Sequence, residues 1–327
     1  MNVKSTLIKA FAVAFALVAA PALATTDDPS HMVPHVSAGR VVTWADLDGG
    51  AAGPMTVWVW LPPGYDRAKG HKYPVLYMHD GQNLFDRALT KYDQVWGLDQ
   101  AIPRMAAQGD LREWIVVGVQ SPKKRYSALF AQKLYPLLSP DFQARIRKLQ
   151  NDADHTDQLT GDAYLDFLVH TVKTRVDRQF RTLPGPEDTA VMGSSMGGLM
   201  SLYAIAEYPQ VFGQAACVSA HLALGDPTEK GTDHQRWAKE AAAAFRTYLS
   251  RSRLRPDRNH IYIDHGSATL DESYAPYSSA VVPVLHAMGW KDGPDFEFRT
   301  YKGAEHNETS WRERIDIPLA FLDRKDP

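Results

Sequence analysis

Thr189-Ala190-Val191-Met192-Gly193-Ser194-Ser195-Met196-Gly197-Gly198 is the stretch whose reading decides the fold. An apolar run, a Gly-Ser-Ser turn and a further Gly-Gly pair predict a short strand, a turn too tight for ordinary residues, and the start of a helix. Gly193 and Gly197 bracket Ser195, and the expectation is that strand and helix lie so close that a Cβ at either glycine would collide with the other element. A serine on such a nucleophile elbow stands clear of the backbone at the carboxyl edge of a sheet. Ser195 is therefore the expected nucleophile, and the Met196 amide an expected oxyanion donor. The flanks agree: Leu183-Pro184-Gly185-Pro186 makes a turn before the strand, the run from Gly198 to Ala206 is apolar nearly all round as in a buried helix, and Tyr208-Pro209 ends it.

Working outward, Arg40–Trp44 and Met55–Leu61 read as strands joined through Asp48-Gly49-Gly50. Tyr73-Pro74-Val75-Leu76-Tyr77-Met78 is a continuous apolar run, the signature of a strand buried on both faces of a parallel sheet. It ends in His79-Asp80-Gly81-Gln82-Asn83, the loop from which a second oxyanion donor is expected. The Gln82 amide is the preferred candidate, with Gly81 expected to let the backbone approach substrate, and with His79 and Asp80 read as structural hydrogen-bonding residues. Trp114–Val119 is the next strand, preceded by a helix over Trp96–Gln108. Residues 121–161 turn polar and irregular and read equally as a cap over the site or as a solvated loop. Tyr164, Leu168, Val172 and Val176 recur at four-residue spacing, an amphipathic helix. Strands at His260–Asp264 and Phe296–Tyr301 complete an alternation that predicts a mostly parallel, doubly wound α/β sheet flanked by helices. Ser310 and Glu313 read as a capping box for a terminal helix kinked at Pro318.

A serine hydroxyl needs a base to take its proton and a carboxylate to orient that base. In α/β-hydrolase order, nucleophile, acid and histidine follow one another at successive strand ends. His306, in Gly303-Ala304-Glu305-His306, occupies the histidine slot alone among the twelve histidines. Two carboxylates compete for the acid: Asp264 at the strand end and Asp271 in the loop beyond, with Asp271 preferred because its loop can reach back to the histidine.

The composition bounds the alternatives. The 327 residues are 44% hydrophobic and 23% charged with a net charge of −2, which suits one large α/β core and gives no basic patch for nucleic acid. Residues 1–24 read as a secretory signal peptide, with Lys4 and Lys9 before an apolar run too short for a stable membrane anchor and Ala22-Leu23-Ala24 as the cleavage site. Residues 25–327 are then a single domain. Cys217 is the sole cysteine, so no intramolecular disulfide forms, and its apolar strand predicts a buried thiol. No His-Glu-x-x-His or Cys/His cluster calls for a catalytic metal.

Four blocks, Trp60–Asp66, Val75–Asp86, Gly193–Gly198 and Gly303–Glu308, together resemble the Putative esterase family, which includes feruloyl and acetyl-xylan esterases, S-formylglutathione hydrolase and the enterochelin esterases. The resemblance runs from about Val57 to Leu322. It implies an α/β-hydrolase fold, ester hydrolysis without a cofactor, and Ser195, Asp271 and His306 as the triad. An exported serine esterase is the reading, its partner a small-molecule or carbohydrate-linked ester, with acetyl or feruloyl esters of carbohydrates slightly preferred. The competing readings are a siderophore trilactone esterase, an acyltransferase to a sugar or lipid alcohol, and a hydrolase-shaped binding protein without chemistry. Oligomeric state is not legible.

Overall fold

The structure, a computed structural model, describes residues 32–324, so the expected signal peptide lies outside the described residues. Within them, eight strands form one sheet in the order β1-β2-β4-β3-β5-β6-β7-β8. These are Arg40–Leu47, Met55–Leu61, Val75–Met78, Ile115–Val119, Thr189–Ser194, Gln214–Val218, His260–Gly266 and Phe296–Tyr301, numbered along the chain. β1 and β2 pair antiparallel, as do β2 and β4; every later pairing is parallel. The fold is that of an α/β-hydrolase.

β2 to β7 are buried along their whole length, which is why they read as unbroken apolar runs. Their alternate residues feed two cores, one on each face. Val75, Tyr77, Val191 and Cys217 pack with the elbow helix Met196–Glu207 and with helices His234–Leu249 and Ala275–Ala287. Leu76, Met78, Met192 and Val218 face helix Leu98–Gln108, the terminal helices that carry Trp311 and Phe321, and Ile315 between those helices.

The strand order places the site. β3 is followed in the chain by β4 on one side and then β5 on its other side, so winding reverses between β3 and β5. Ligand crevices of open α/β sheets lie at the carboxyl end of such a switch point. Here that end carries Asp80–Asn83 from β3 and Ser195 from β5.

Several expectations need correcting. Residues 121–161 are neither irregular nor a solvated loop: they hold helix Arg125–Ala128, a 3₁₀ turn Gln132–Leu137 and helix Pro140–Asp154. Ser139 caps the last of these, accepting from the Phe142 amide at 3.3 Å, and Phe142, Ile146 and Gln150 form its buried stripe. The surrounding charges masked that stripe. The first helix begins at Leu98 rather than Trp96, because Gly97 takes a left-handed φ of 68° ahead of it. The helix through Tyr164, Leu168, Val172 and Val176, all buried, includes a π segment at Phe167–Lys173. The terminal cap is Asn307, whose side chain accepts from the Ser310 amide at 2.9 Å, so Ser310 lies inside helix Glu308–Glu313. Pro318 kinks nothing, since it sits in the first turn of a separate helix, Asp316–Leu322, where its missing N–H costs no bond.

Ile146 tests whether the 121–161 segment is integral. It is fully buried in the main core, so Ile146→Ala is expected to cost about 2–5 kcal/mol in urea unfolding. A cost well under 1 kcal/mol would mean that the segment detaches from the domain.

Candidate active site

Ser195 sits at the apex of the turn between β5 and the elbow helix with φ 58° and ψ −122°, outside the regions a non-glycine residue favours. The surrounding backbone holds it there. Its N–H donates to the Val218 carbonyl at 3.0 Å, and its carbonyl accepts from His221 at 3.0 Å and Leu199 at 3.1 Å. A Cβ on Gly193 would lie 2.8 Å from the Gly197 carbonyl carbon, so strand and helix do touch there. Gly197 differs from expectation: a Cβ there would meet His79 at 3.1 Å and Asp80 at 3.3 Å, so it makes room for the end of β3 rather than for β5.

The 3₁₀ turn Gly81–Asn83 leaves the Gln82 amide in a first helical turn, and Met196 opens the elbow helix, so neither N–H has a carbonyl one turn back to bond. Gly81 has a role other than expected. A Cβ there would come within 2.5 Å of the Gly118 carbonyl carbon, so this glycine seats the loop against β4 rather than opening it to substrate. Asp80 precedes the turn at φ 55°. Its carboxylate takes a bidentate pair from Arg125, at 2.8 and 2.7 Å. Burial disfavours the Asp80 charge, but Arg125 and the Ser121 contact outweigh it and hold the carboxyl below its ordinary value. His79 bonds Tyr164 through Nδ1 at 2.7 Å, and burial brings its pKa down to about 4, so it is neutral. Among the described residues neither one hydrogen-bonds to Ser195 or His306, which fits buttressing of the loop.

On the other rim, the loops after β7 and β8 are stitched together. The Ser267 and Ala268 amides both donate to the Ala304 carbonyl at 3.1 Å, Gly303 N–H donates to Ser267 Oγ at 2.8 Å, and His306 N–H donates to Thr269 Oγ1 at 2.9 Å. Gly266 permits this approach: a Cβ would overlap the Ala304 carbonyl and lie 2.8 Å from Asp271 Oδ2. Asp271, fully buried, meets His306 Nδ1 through Oδ1 at 2.6 Å, while Oδ2 accepts from Gly266 N–H and Ser219 Oγ, both at 2.6 Å. Burial works against that charge, and the bonds from His306, Ser219 and Gly266 together hold the carboxyl below its ordinary value. With Nδ1 committed to Asp271, Nε2 of His306 carries the lone pair that can take a proton.

Asp264, the competing carboxylate, has other partners. It accepts from Ser219 N–H at 2.9 Å, Tyr262 hydroxyl at 2.9 Å and Arg314 Nε and Nη2, both at 3.1 Å. Ser219 joins the two acids. Its hydroxyl donates to Asp271 and accepts from Trp311 Nε1 at 2.9 Å and Arg314 Nη2 at 3.0 Å, which uses one donor and two lone pairs.

Ser195, His306 and Gln82 line one cleft of about 630 Å³, together with Asn83, Tyr92, Gln94, Arg125 and Glu308. Among the described residues no hydrogen bond joins Ser195 Oγ to His306; such contacts are commonly loose before substrate binds. Sequence reasoning missed Arg125, Glu308, Ser219, Trp311, Arg314, His221 and Tyr274. Glu308 closes the Gly303–Glu308 block without a role assigned to it; none of the others lies in a motif, and each reaches the site only through the folded chain. Asn83 Nδ2 donates to Glu308 Oε1 at 2.8 Å across the cleft. Burial, aided by the Asp80 charge, raises the Glu308 carboxyl above its ordinary value despite its own backbone amide, His306 and Arg125.

A family model described as "Putative esterase" matches residues 51–317. A Bacillus subtilis (strain 168) protein, the uncharacterized protein YbbA, is 24% identical over 168 residues, a match spanning 51% of this chain and 57% of that protein. A solved ferulic acid esterase superposes with a TM-score of 0.56 at 16% identity, over 88% of this chain and 99% of its own. The enterobactin esterase FES of Shigella flexneri gives 0.55 at 13% identity, over 89% of this chain and 60% of its own. An IroE-like serine hydrolase of Shewanella oneidensis gives 0.57 at 14%, over 86% and 80%. At these identities the superpositions speak for the fold.

Two measurements check this architecture. Arg314→Leu leaves Asp264 charged, buried and without its cation, and is expected to cost about 3–5 kcal/mol. Because Asp271 and Asp80 both have folded values below the ordinary 3.8, their stabilisation is fully present above that value and is lost as pH falls through the lower folded values. The urea midpoint should therefore hold above pH 3.8 and fall as pH drops below it, and Asp80→Asn should flatten that fall; an unchanged slope would remove Asp80 from the account.

Proposed function

The chain belongs to the Putative esterase family, serine esterases of the α/β-hydrolase type, and from that premise we propose that it hydrolyses carboxylic esters through Ser195, His306 and Asp271. The observation that carries this reading is the 2.6 Å contact between the buried Asp271 carboxylate and His306, in the same cleft as a serine held at φ 58° on the elbow. His306 Nε2 takes the Ser195 proton as Oγ attacks the ester carbonyl. The Met196 and Gln82 amides receive the oxyanion. The intermediate collapses, the alcohol leaves with the proton from His306, and a water deprotonated by the same nitrogen hydrolyses the acyl-enzyme. Asp271 remains ionised throughout, orienting the ring and stabilising its cation.

The substrate we favour is an acyl ester of a carbohydrate, met outside the cytoplasm as the leader-like residues 1–24 suggest. Support comes from the cleft walls. Gln82, Asn83 and Gln94 line the cleft with amides, and Tyr92 is 66% exposed at the lining. The cleft's charged side chains nearly balance, with Lys91 and Arg125 against Asp80 and Glu308, which gives a polyanionic ferric catecholate little to hold.

Ser195→Ala is expected to abolish turnover of a p-nitrophenyl ester and labelling by a fluorophosphonate; retained turnover removes this serine from the mechanism. Asp271→Asn should lower kcat by roughly 10⁴-fold with the fold intact, since it reverses the donor at His306 Nδ1. Acetylated xylan, methyl ferulate and a ferric tris-catecholate, assayed in parallel with and without an added alcohol acceptor, separate carbohydrate esterase, siderophore esterase and acyltransferase.

A further inference from the structure

The residues of the turn after β3 are each held by a different part of the fold. Gly81 is seated against the Gly118 backbone of β4. Gln82 Oε1 accepts from the Ser121 N–H at 3.0 Å, just beyond that strand. Asn83 reaches the other way: its Nδ2 donates to Glu308 Oε1 at 2.8 Å, on the helix that follows His306. Among the described residues this is the one hydrogen bond from the Gly81–Asn83 turn to the rim that carries the histidine. The Asn83 backbone has its own support, since its carbonyl accepts from the N–H of Trp96 at 2.9 Å and Trp96 stacks on Trp311 with 5.4 Å between ring centres. The side chain is therefore presented to Glu308 from a fixed backbone.

Glu308 is 8% exposed and lines the same cleft as Ser195 and His306, yet the mechanism gives it no proton to carry. A carboxylate so far out of water needs donors, and an ionised one can only accept, so the Nδ2 side of the Asn83 amide is the side that must face it. Such a bond is charge-assisted and stronger than one between neutral groups. What it joins matters for the reaction. Asn83 directly follows Gln82, whose amide is the expected second oxyanion donor, and Glu308 stands two residues after His306, the expected base. These two groups must be correctly spaced when the tetrahedral intermediate forms, because an oxyanion donor is effective only where the negative charge develops.

We propose that Glu308 is a positioning residue whose bond to Asn83 braces the cleft from rim to rim and so sets the place of the Gln82 amide relative to His306. It transfers no proton and touches no reacting atom. It rests on Ser195 being the nucleophile and on Gln82 being an oxyanion donor.

Glu308→Ala and Asn83→Ala are each expected to lower kcat on a p-nitrophenyl ester by about tenfold, a part of the roughly 100- to 1,000-fold worth of a whole oxyanion donor, with KM little changed. Inhibition by a boronic acid should weaken in the same ratio, since its tetrahedral adduct with the serine loads the same amide. Glu308→Gln keeps an oxygen facing Asn83 and should keep most of the rate, and the double alanine variant should be no slower than either single one. Asn83→Asp sets two carboxylates face to face and should lose at least as much as Asn83→Ala; adding Glu308→Gln to it, which reverses donor and acceptor, should restore the rate. Wild-type kcat in both alanine variants, a loss confined to KM or Tm, additive losses in the double variant, or a Glu308→Gln as slow as Glu308→Ala overturns the proposal. If the alanine variants do not fold, failure of Glu308→Gln to restore Asn83→Asp overturns it. Ser195→Ala keeps the two questions apart: retained turnover there defeats the nucleophile assignment itself, whereas a dead Ser195→Ala beside fully active alanine variants at 83 and 308 defeats only the brace.

Discussion

Placing the Asp271 charge at zero exposure is the constraint on which the rest of the site depends. A carboxylate out of reach of water is tolerated only when its oxygens are filled with donors. No single element can supply them. They come from the end of β7 at Gly266, from the loop after β6 at Ser219, and from the loop after β8 at His306. Satisfying one acid therefore draws three strand-end loops to one point. The terminal helices lock that arrangement through Trp311 and Arg314, both of which donate to Ser219. Arg314 also neutralises Asp264, so the second buried acid reinforces the convergence instead of competing for His306.

The opposite rim is organised by close approach rather than by charge. β3 and β5 are neighbours at the point where the winding of the sheet reverses, and each ends in a residue with positive φ, Asp80 at 55° and Ser195 at 58°. Such backbone is costly and persists only where the surroundings determine it more than once. At Asp80 the bidentate Arg125 pair does so. At Ser195 the backbone bonds to Val218, His221 and Leu199 do so. Glycines at 81, 193 and 197 make the crowding tolerable, each by leaving out a Cβ against a different neighbour.

The segment from 121 to 161 links the site to the body of the fold. It carries Arg125 to the cleft while burying Phe130, Leu134, Phe142 and Ile146 in the main core. The wall of the cleft is thus built on packed helices. Fold alone does not choose a substrate. That choice falls to the side chains such segments present, and here they are amides, a tyrosine and nearly balanced charges.

What could be read along the chain is what depends on local pattern. The elbow spells out its turn because only glycine fits at 193, the buried strands show as continuous apolar runs, and the slot of His306 follows from its place after the last strand. Asp271 was legible only as a preference over Asp264, and which carboxylate meets His306 depends on space: the Gly266–Ala304 approach brings Asp271 to its Nδ1. Nothing local marked Arg125, Ser219, His221, Tyr274 or Arg314. Their partners lie 45 to 95 residues away for Arg125–Asp80, Ser219–Asp271, His221–Tyr274 and Arg314–Ser219, and no periodicity encodes such pairings. Likewise the helical stripe of Phe142 and Ile146 was hidden by the charges around it, and the cap at Asn307 lay outside the Ser310–Glu313 pattern. Sequence by itself determined the backbone turns and the order of the elements, because these are set by residues in contact along the chain. Only the tertiary structure decided which polar groups meet, because a buried donor or acceptor is satisfied by whatever the packed strands bring alongside it.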